Sequence, residues 1–305
     1  MITVTTIAEV RASCDAARRG GARVGFVPTM GYFHEGHRSL MRAARADNDF
    51  VVVSLFVNPT QFGANEDLDA YPRDLEGDST AAESEGVDVL FMPTVAEMYP
   101  AGARTTVHVD GLTAGLCGAS RPGHFDGVTT VVAKLFSIIG PCRAYFGRKD
   151  AQQLAVIRRM TTDLDLPVDV VGCSLVREPD GLAMSSRNAY LSSDERRTAL
   201  VLSRALGTAA DALAHGERDA HAVRALVIAE LATERGARVD YVEVVDAATL
   251  EPIAAVEHDT LIAVAAFVGT TRLIDNLTFS PSSGSTATST IDLGVTVNTA
   301  DQETS

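Results

Sequence analysis

At the usual size of about 100–200 residues per domain, a chain of 305 residues predicts about two domains. Its 46% hydrophobic and 22% charged residues are the balance of a folded globular protein and exclude wholly disordered and fibrous classes. The 40 acidic against 26 basic residues leave a formal charge of −14, which opposes nonspecific attraction to nucleic acid or to an anionic membrane. Any site for an anionic substrate has to be a local basic exception.

In chain order, RVGFV at 23–27 predicts a strand that runs into the turn segment PTMGYFHEGH. A helix is expected from Arg38 to Ala46, with Leu40, Met41 and Ala44 on its apolar side, followed by a strand at 50–57, so the region reads as a βαβ unit. A polar helix at 74–85 and a strand at 87–91 continue the alternation that favours a mostly parallel α/β sheet. A buried helix at 128–139, a strand at 144–147, a helix carrying Leu154, Ile157 and Thr161, and a strand at 168–172 complete the first domain.

Beyond a junction near 185–192, helices at about 194–214 and 219–235 and strands at 239–245 and 261–268 predict a smaller α/β domain. The last 25 residues hold 11 Ser or Thr and no aromatic, which predicts a disordered tail over 281–305; VTV near its end is the one stretch suited to a short added strand. The longest apolar runs are eight residues, far below the roughly 20 of a membrane span. The start lacks the pattern of a secretory signal, and the four cysteines form no CxxC pair, so a reducing cytoplasm is expected.

Four constellations carry chemistry. In PTMGYFHEGH, His34 and His37 stand three apart at a helix entrance, where they share a face and where first-turn N–H groups receive phosphate; Gly31 and Gly36 permit close approach or simply turn the chain. HEGH is one residue shorter than the HExxH spacing of a metal site, so phosphate is the preferred partner over zinc. In FVNPTQFG, the amides of Asn58 and Gln61 follow a strand end, where they can orient a hydroxyl or carboxylate or merely cap a turn. Tyr71 and Arg73 belong to the same mouth or decorate a loop, and Asp78 either approaches phosphate-bound magnesium or is a solvated helix residue.

The third constellation joins Arg121 and His124 of GASRPGHFDGV to Lys149, Asp150 and Gln153 of FGRKDAQQL. A lysine there can stabilise phosphate charge while Asp150 caps a helix and Gln153 faces the same side one turn on; the bland alternative is a solvated cap and a surface lysine. The fourth is LAMSSRNAYL, where Ser185, Ser186 and Arg187 at the domain junction can wrap a polyphosphate as part of a lid, or form an ordinary turn.

Taken together, PTMGYFHEGH, FVNPTQFG, RPGHFDGV, FGRKDAQQ and MSSRN, in this order and with agreement up to RLIDN, resemble the pantothenate synthetase (pantoate–beta-alanine ligase) family over about residues 1–280. That family sits in the nucleotidyltransferase superfamily with class I aminoacyl-tRNA-synthetase-like catalytic domains, and HEGH and MSSRN look like its versions of the HIGH and KMSKS signatures. The resemblance implies a Rossmann-like parallel-sheet catalytic domain over 1–185, a smaller C-terminal α/β lid domain over 186–280 and a tail over 281–305.

The activity it implies is ATP-dependent condensation of pantoate with beta-alanine through pantoyl adenylate, releasing pyrophosphate and AMP. It also implies magnesium with ATP, a cytoplasmic homodimer, and no nucleic-acid or membrane partner. By motif position, His34, His37, Lys149, Ser185, Ser186 and Arg187 are the implied catalytic set. Nucleotide contacts extend over Pro28, Thr29, Met30, Gly36, Gly147, Asp150 and Met184, while Met30, Asn58, Gln61, Arg121 and Gln153 form or close the pantoate site. Arg148, Ala151 and Gly115 depart from the family's usual acidic, tyrosine and acidic residues, which bears on local electrostatics more than on reaction class. A transferase acting on another acid, or a nucleotide-binding regulatory module, is separated from this reading by pantoate-dependent ATP–pyrophosphate exchange.

Overall fold

The computed structural model describes residues 1–64, 66–281 and 289–297. The chain divides into two units, one of Met1–Arg148 with Val156–Cys173, the other of Lys149–Ala155 with the described residues from Ser174 onward.

The first unit is built on β1 (Ile2–Val4), β2 (Val24–Thr29), β3 (Phe50–Leu55), β4 (Val89–Phe91), β5 (Cys142–Gly147) and β6 (Val168–Cys173), in the spatial order β1-β4-β3-β2-β5-β6. Every neighbouring pair is parallel. β2, β3 and β4 are apolar nearly throughout because helices cover both faces of a parallel sheet. Val27, Val51, Val53 and Leu90 pack with Leu40, Met41 and Ala44 of the helix Glu35–Asp47. The chain order reverses between β2 and β5, so a crevice is expected beyond the C-terminal ends of those two strands.

Pro28 in a central strand would ordinarily break a ladder. Here the Thr29 carbonyl accepts from Phe56 N on the β3 side, which turns the missing Pro28 N–H toward β5, and β2 pairs with β5 only at Gly25 and Phe26. The proline therefore marks where β2 leaves β5 and the crevice begins.

In the second unit β8 (Ala237–Asp246), β9 (Thr260–Val268) and β10 (Thr271–Ser280) form an antiparallel meander. The helices Val201–Ala214 and Ala220–Leu231 share its core through Leu202, Leu206, Val223, Val227, Val242, Ile262, Val264 and Leu277. The first long helix expected there is interrupted at Leu200, dividing it into Ser193–Ala199 and Val201–Ala214.

β10 was not foreseen from the sequence because the polar Asp275 and Asn276 are buried in it beside Leu277, which spoils the alternation of a half-buried strand. The expectation of a disordered tail also differs from the structure over 289–297. β11 (Thr290–Asp292) pairs antiparallel with β10, and β12 (Val295–Thr296), within the VTV stretch, pairs parallel with β7 (Val176–Arg177). Backbone pairing and the packing of Ile291 and Leu293 stabilise a segment whose composition alone argues against structure. The rest of that expectation, at 282–288 and 298–305, lies outside the described residues. Among the described residues no helix is long and apolar enough to cross a membrane. The architecture is a Rossmann-like parallel α/β domain with an additional C-terminal α/β region.

Candidate active site

The turn after β2 is set by backbone conformation and by one buried carboxylate. Gly31 (φ 89°) and Tyr32 (φ 55°) both lie in the left-handed region, strained for tyrosine. Asp78, from the helix Leu75–Ser84, is only 2% exposed and accepts Tyr32 N at 2.8 Å and Phe33 N at 2.6 Å. A side chain at Gly31 would meet that carboxylate at 2.9 Å. Burial raises the Asp78 carboxyl above its ordinary value against the pull of the two amides. Asp78 is thus buried rather than solvated, and it fixes the turn. Thr29 donates to the Ser54 carbonyl and accepts Gly31 N, tying the end of β2 to β3.

That turn delivers His34 as the N-cap of the helix Glu35–Asp47. Gly36 N donates to His34 Nδ1 at 3.1 Å, and His34 N donates to His37 Nδ1 at 3.3 Å. With Nδ1 accepting in both rings, the proton of each neutral imidazole sits on Nε2, so the pair carries two N–H donors at a positive helix end. The rings lie 4.1 Å apart. Glu35 is turned away from any metal role by ion pairs with Arg38 and Arg42, which also share Glu85.

The first unit also joins Met30, Asn58 and Gln61 in one chain of contacts. Asn58, 1% exposed, caps the short helical turn Pro59–Gln61. Its Nδ2 donates to Gln61 Oε1 and to the Gly127 carbonyl, each at 3.1 Å, while its Oδ1 accepts from Tyr99 Oη at 2.9 Å and Thr60 Oγ1 at 3.0 Å. The amide orientation of Gln61 is thereby fixed, and Nε2 points to Met30 Sδ at 3.2 Å. Gly127 is required for this approach, since a Cβ would lie 2.4 Å from the Thr60 carbonyl oxygen. Met30 also lines a cavity of about 330 Å³ with Tyr32, Phe56, Arg73 and Asp78.

Arg121, expected to form or close the pantoate site, is held in the first unit by a carboxylate. It grips Glu66 with Nε at 2.6 Å and Nη2 at 2.5 Å, and Nη2 also reaches the Gln61 carbonyl at 3.3 Å, beside His124 Nδ1 at 2.8 Å. Burial raises the Glu66 carboxyl, but the Arg121 bonds outweigh it and the net value is lowered. The pair latches the loop after Gln61 to the start of the helix His124–Ile139. Gly147 ends β5 with nothing within 4 Å of where a Cβ would stand, which leaves room for a group to approach the backbone.

In the second unit, Lys149 Nζ stands 3.8 Å from Asp150 Oδ2, with the lysine mostly buried and the aspartate half exposed. Gln153 is half-buried one turn into the helix Ala151–Asp163. Met184 is buried and donates N–H to the Val176 carbonyl. Ser185 caps the turn Ser186–Tyr190 by accepting Arg187 N at 3.3 Å, and Ser186 is 7% exposed. Ser185 is therefore an ordered cap that fixes the Arg187 backbone. Among the described residues no group of three or more His, Cys, Asp or Glu is arranged to hold a metal.

Sequence reasoning missed Glu66, Tyr99 and Gly127, which orient the first unit's site, and Arg177, Asp275 and Asn276 of the second. A glycine inside a helix rich in valine was the one readable signal among them.

Comparison with known proteins bears on what these groups serve. The profile of a family described as pantoate-beta-alanine ligase matches residues 2–278. A pantothenate synthetase of Heliobacterium modesticaldum is 58% identical over 277 residues, 91% of this chain and 99% of its own; one from Acetivibrio thermocellus is 54% identical with the same coverage. The crystal structure of pantothenate synthetase from Thermus thermophilus superposes with a TM-score of 0.86 at 49% identity, covering 90% of this chain and 98% of its own. That of Francisella tularensis pantoate-beta-alanine ligase, complexed with beta-gamma ATP and beta-alanine, gives 0.74 at 33% identity, covering 90% and 97%. On sequence match and fold alike, the chain belongs to the pantoate-beta-alanine ligase family.

Proposed function

We propose that the ATP-dependent ligation of pantoate to beta-alanine, the reaction of this family, runs in this chain on the residues described above. The enzyme forms pantothenate through pantoyl adenylate. A pantoate carboxylate oxygen attacks the α-phosphorus of ATP, the bond from that phosphorus to the bridging oxygen breaks, and pyrophosphate leaves with the electron pair. The beta-alanine amine then attacks the acyl carbon, the bond from that carbon to the phosphoryl oxygen breaks, and AMP leaves as the amine loses its proton.

The observation that carries the residue assignment is the His34–His37 pair, whose two Nδ1 acceptors are both committed to backbone amides. Fixed Nε2–H donors stabilise phosphoryl charge as it develops and need no reorganisation when it does. His34 is the principal donor and His37 its neighbour on the phosphates, with Pro28, Thr29 and Gly36 shaping the approach. Lys149, Ser185, Ser186 and Arg187 supply further phosphate contacts, with Gly147, Asp150 and Met184 beside the nucleotide. Met30, Gln61 and Gln153 contact pantoate; Asn58 acts by orienting Gln61, and Arg121 by latching the loop.

Magnesium is part of the proposal as the companion of ATP. The ion would be held chiefly by the nucleotide's own phosphates, with the half-exposed Asp150, 3.8 Å from Lys149 Nζ, the carboxylate offered beside them. When bound, it neutralises phosphate charge. A cytoplasmic homodimer acting on small molecules, with no nucleic-acid or membrane partner, completes the proposal and is checked by light scattering and fractionation.

The test of the reaction uses pantoate labelled with ¹⁸O in its carboxylate, with beta-alanine and Mg-ATP. One labelled oxygen should appear in AMP; label in orthophosphate, or none in AMP, would reject the adenylate route for this chain.

A further inference from the structure

The segment from Thr290 to Thr296 lies beyond the matched residues 2–278, and the relatives above are covered over 99% of their own length without it. Within the second unit it makes two attachments. β11 extends the sheet on β10, at Thr278↔Asp292, Phe279↔Ile291 and Ser280↔Thr290. The chain then turns at Gly294 (φ 88°), whose position would set a Cβ 2.3 Å from the Leu175 carbonyl oxygen, and β12 lies along β7. Val295 N donates to the Leu175 carbonyl at 2.7 Å and Val297 N to the Arg177 carbonyl at 3.0 Å.

Between the two attachments, the Leu293 carbonyl accepts from Arg177 Nε at 2.6 Å. Arg177 is 5% exposed and Asp275 2% exposed, joined by two bonds, Nη1 to Oδ2 at 2.7 Å and Nη2 to Oδ1 at 2.9 Å; Nη1 also reaches the Gly181 carbonyl. A buried ion pair is tolerated best when its remaining donors and acceptors are satisfied, and the Leu293 carbonyl supplies the partner of Arg177 Nε. Asp275 Oδ1 further accepts Asn276 N at 2.8 Å, and Asn276 Nδ2 donates to the Lys149 carbonyl at 2.8 Å. On its other side Arg177 bridges to Ala183, and Met184 N bonds to Val176 O, at the mouth of the Ser185–Arg187 turn.

We propose that Thr290–Thr296 is a positioning strap for adenylation: it supplies the Nε partner of the Arg177–Asp275 pair, which adjoins the Asn276 that holds the Lys149 main chain, and it backs the strand that leads to Met184–Arg187. The inference rests on the reading that Lys149 and Ser185–Arg187 handle phosphate. The strap residues themselves touch no substrate in this account; they act through Arg177.

The test is made in the full chain with two variants. Gly294→Val places a β-branched side chain against the Leu175 carbonyl in a left-handed backbone, and Val295→Pro deletes the N–H that bonds it. Pantoate-dependent ATP–pyrophosphate exchange is compared with the capture of supplied pantoyl adenylate by beta-alanine. Slackened positioning predicts that both variants lose about tenfold in the exchange kcat and stay within twofold in capture. Exchange within twofold of wild type in both variants overturns the strap, and so does an equal fall in both half-reactions, which marks a merely structural role. Lys149→Ala is the separate control: normal exchange in that variant rejects the phosphate role of Lys149, whatever the strap variants do.

Discussion

Asn58→Ala isolates a residue whose side chain makes five hydrogen bonds while presenting almost nothing to solvent. Removing the side chain leaves the buried Gly127 carbonyl without this donor, at about 1–3 kcal/mol, while the bonds to part-buried Gln61, Thr60 and Tyr99 are exchanged for water at smaller cost. A total of about 3 kcal/mol, at about 2–4 °C per kcal/mol for a domain of this size, predicts a melting temperature lower by about 6–12 °C. The functional effect is more selective. Gln61 loses the partner that holds its Oε1, so Nε2 is no longer fixed beside Met30. A hydrogen bond to a charged carboxylate is worth about 1.5–3 kcal/mol, which predicts a rise of about ten- to a hundredfold in the KM for pantoate with the KM for ATP unchanged. Steady-state kinetics below the lowered melting temperature read this directly, and Gln61→Ala supplies the second arm of a cycle. In the Gln61→Ala background, Asn58→Ala should add nothing to the pantoate KM. An unchanged pantoate KM in Asn58→Ala, alongside a raised one in Gln61→Ala, would refute the orienting role.

Asp78→Ala removes both acceptors of the Tyr32 and Phe33 amides; the strained turn should relax, lowering the melting temperature and slowing adenylation more than it weakens ATP binding, and an unchanged exchange kcat would show that the turn holds itself. Glu66 titrates below its ordinary 4.5 in the folded chain, so its contribution is fully present above that value and is lost as pH falls through the lowered one. Melting curves of wild type and Glu66→Gln should therefore differ at neutral pH and converge in the acid range. A gap that does not narrow as the pH falls below the ordinary carboxylate range would mean the loop is not latched by the Arg121–Glu66 pair. Gly127→Ala should destabilise strongly, because its Cβ has to displace the Thr60–Gln61 backbone; a melting temperature within 1 °C of wild type, on the order of what a neutral surface change produces, would show that the helix is free to move away.

Much of the first unit was legible because its candidate site residues sit in local motifs at strand ends. The periodicity of 38–46 correctly placed Leu40, Met41 and Ala44 against the sheet, and the His34–His37 spacing put both rings at the helix entrance. The dual Nδ1 capping was not readable, since it depends on backbone donors that exist only once the turn is formed. Asp78 looked like one acidic residue among many on a polar helix, yet it is buried by a contact 45 residues distant in sequence. Glu66 was invisible for the same reason, and its pairing with Arg121 adds a latch to an arginine expected to support or close the pantoate site. β10 and the strands of the tail were missed because Asp275 and Asn276 interrupt one and the Ser/Thr content disguises the others; all are held by long-range pairing, which composition does not carry.

The central claim is that the fixed Nε2–H donor of His34 stabilises the phosphoryl charge of the first half-reaction and has no part in the second. His34→Ala, folded and compared with wild type, measures it through pantoate-dependent ATP–pyrophosphate exchange and through beta-alanine capture of supplied pantoyl adenylate. Loss of one preorganised donor predicts an exchange kcat lower by about 10²–10³, with capture within twofold of wild type. An exchange rate equal to wild type, or an equal loss in both half-reactions, would contradict the assignment.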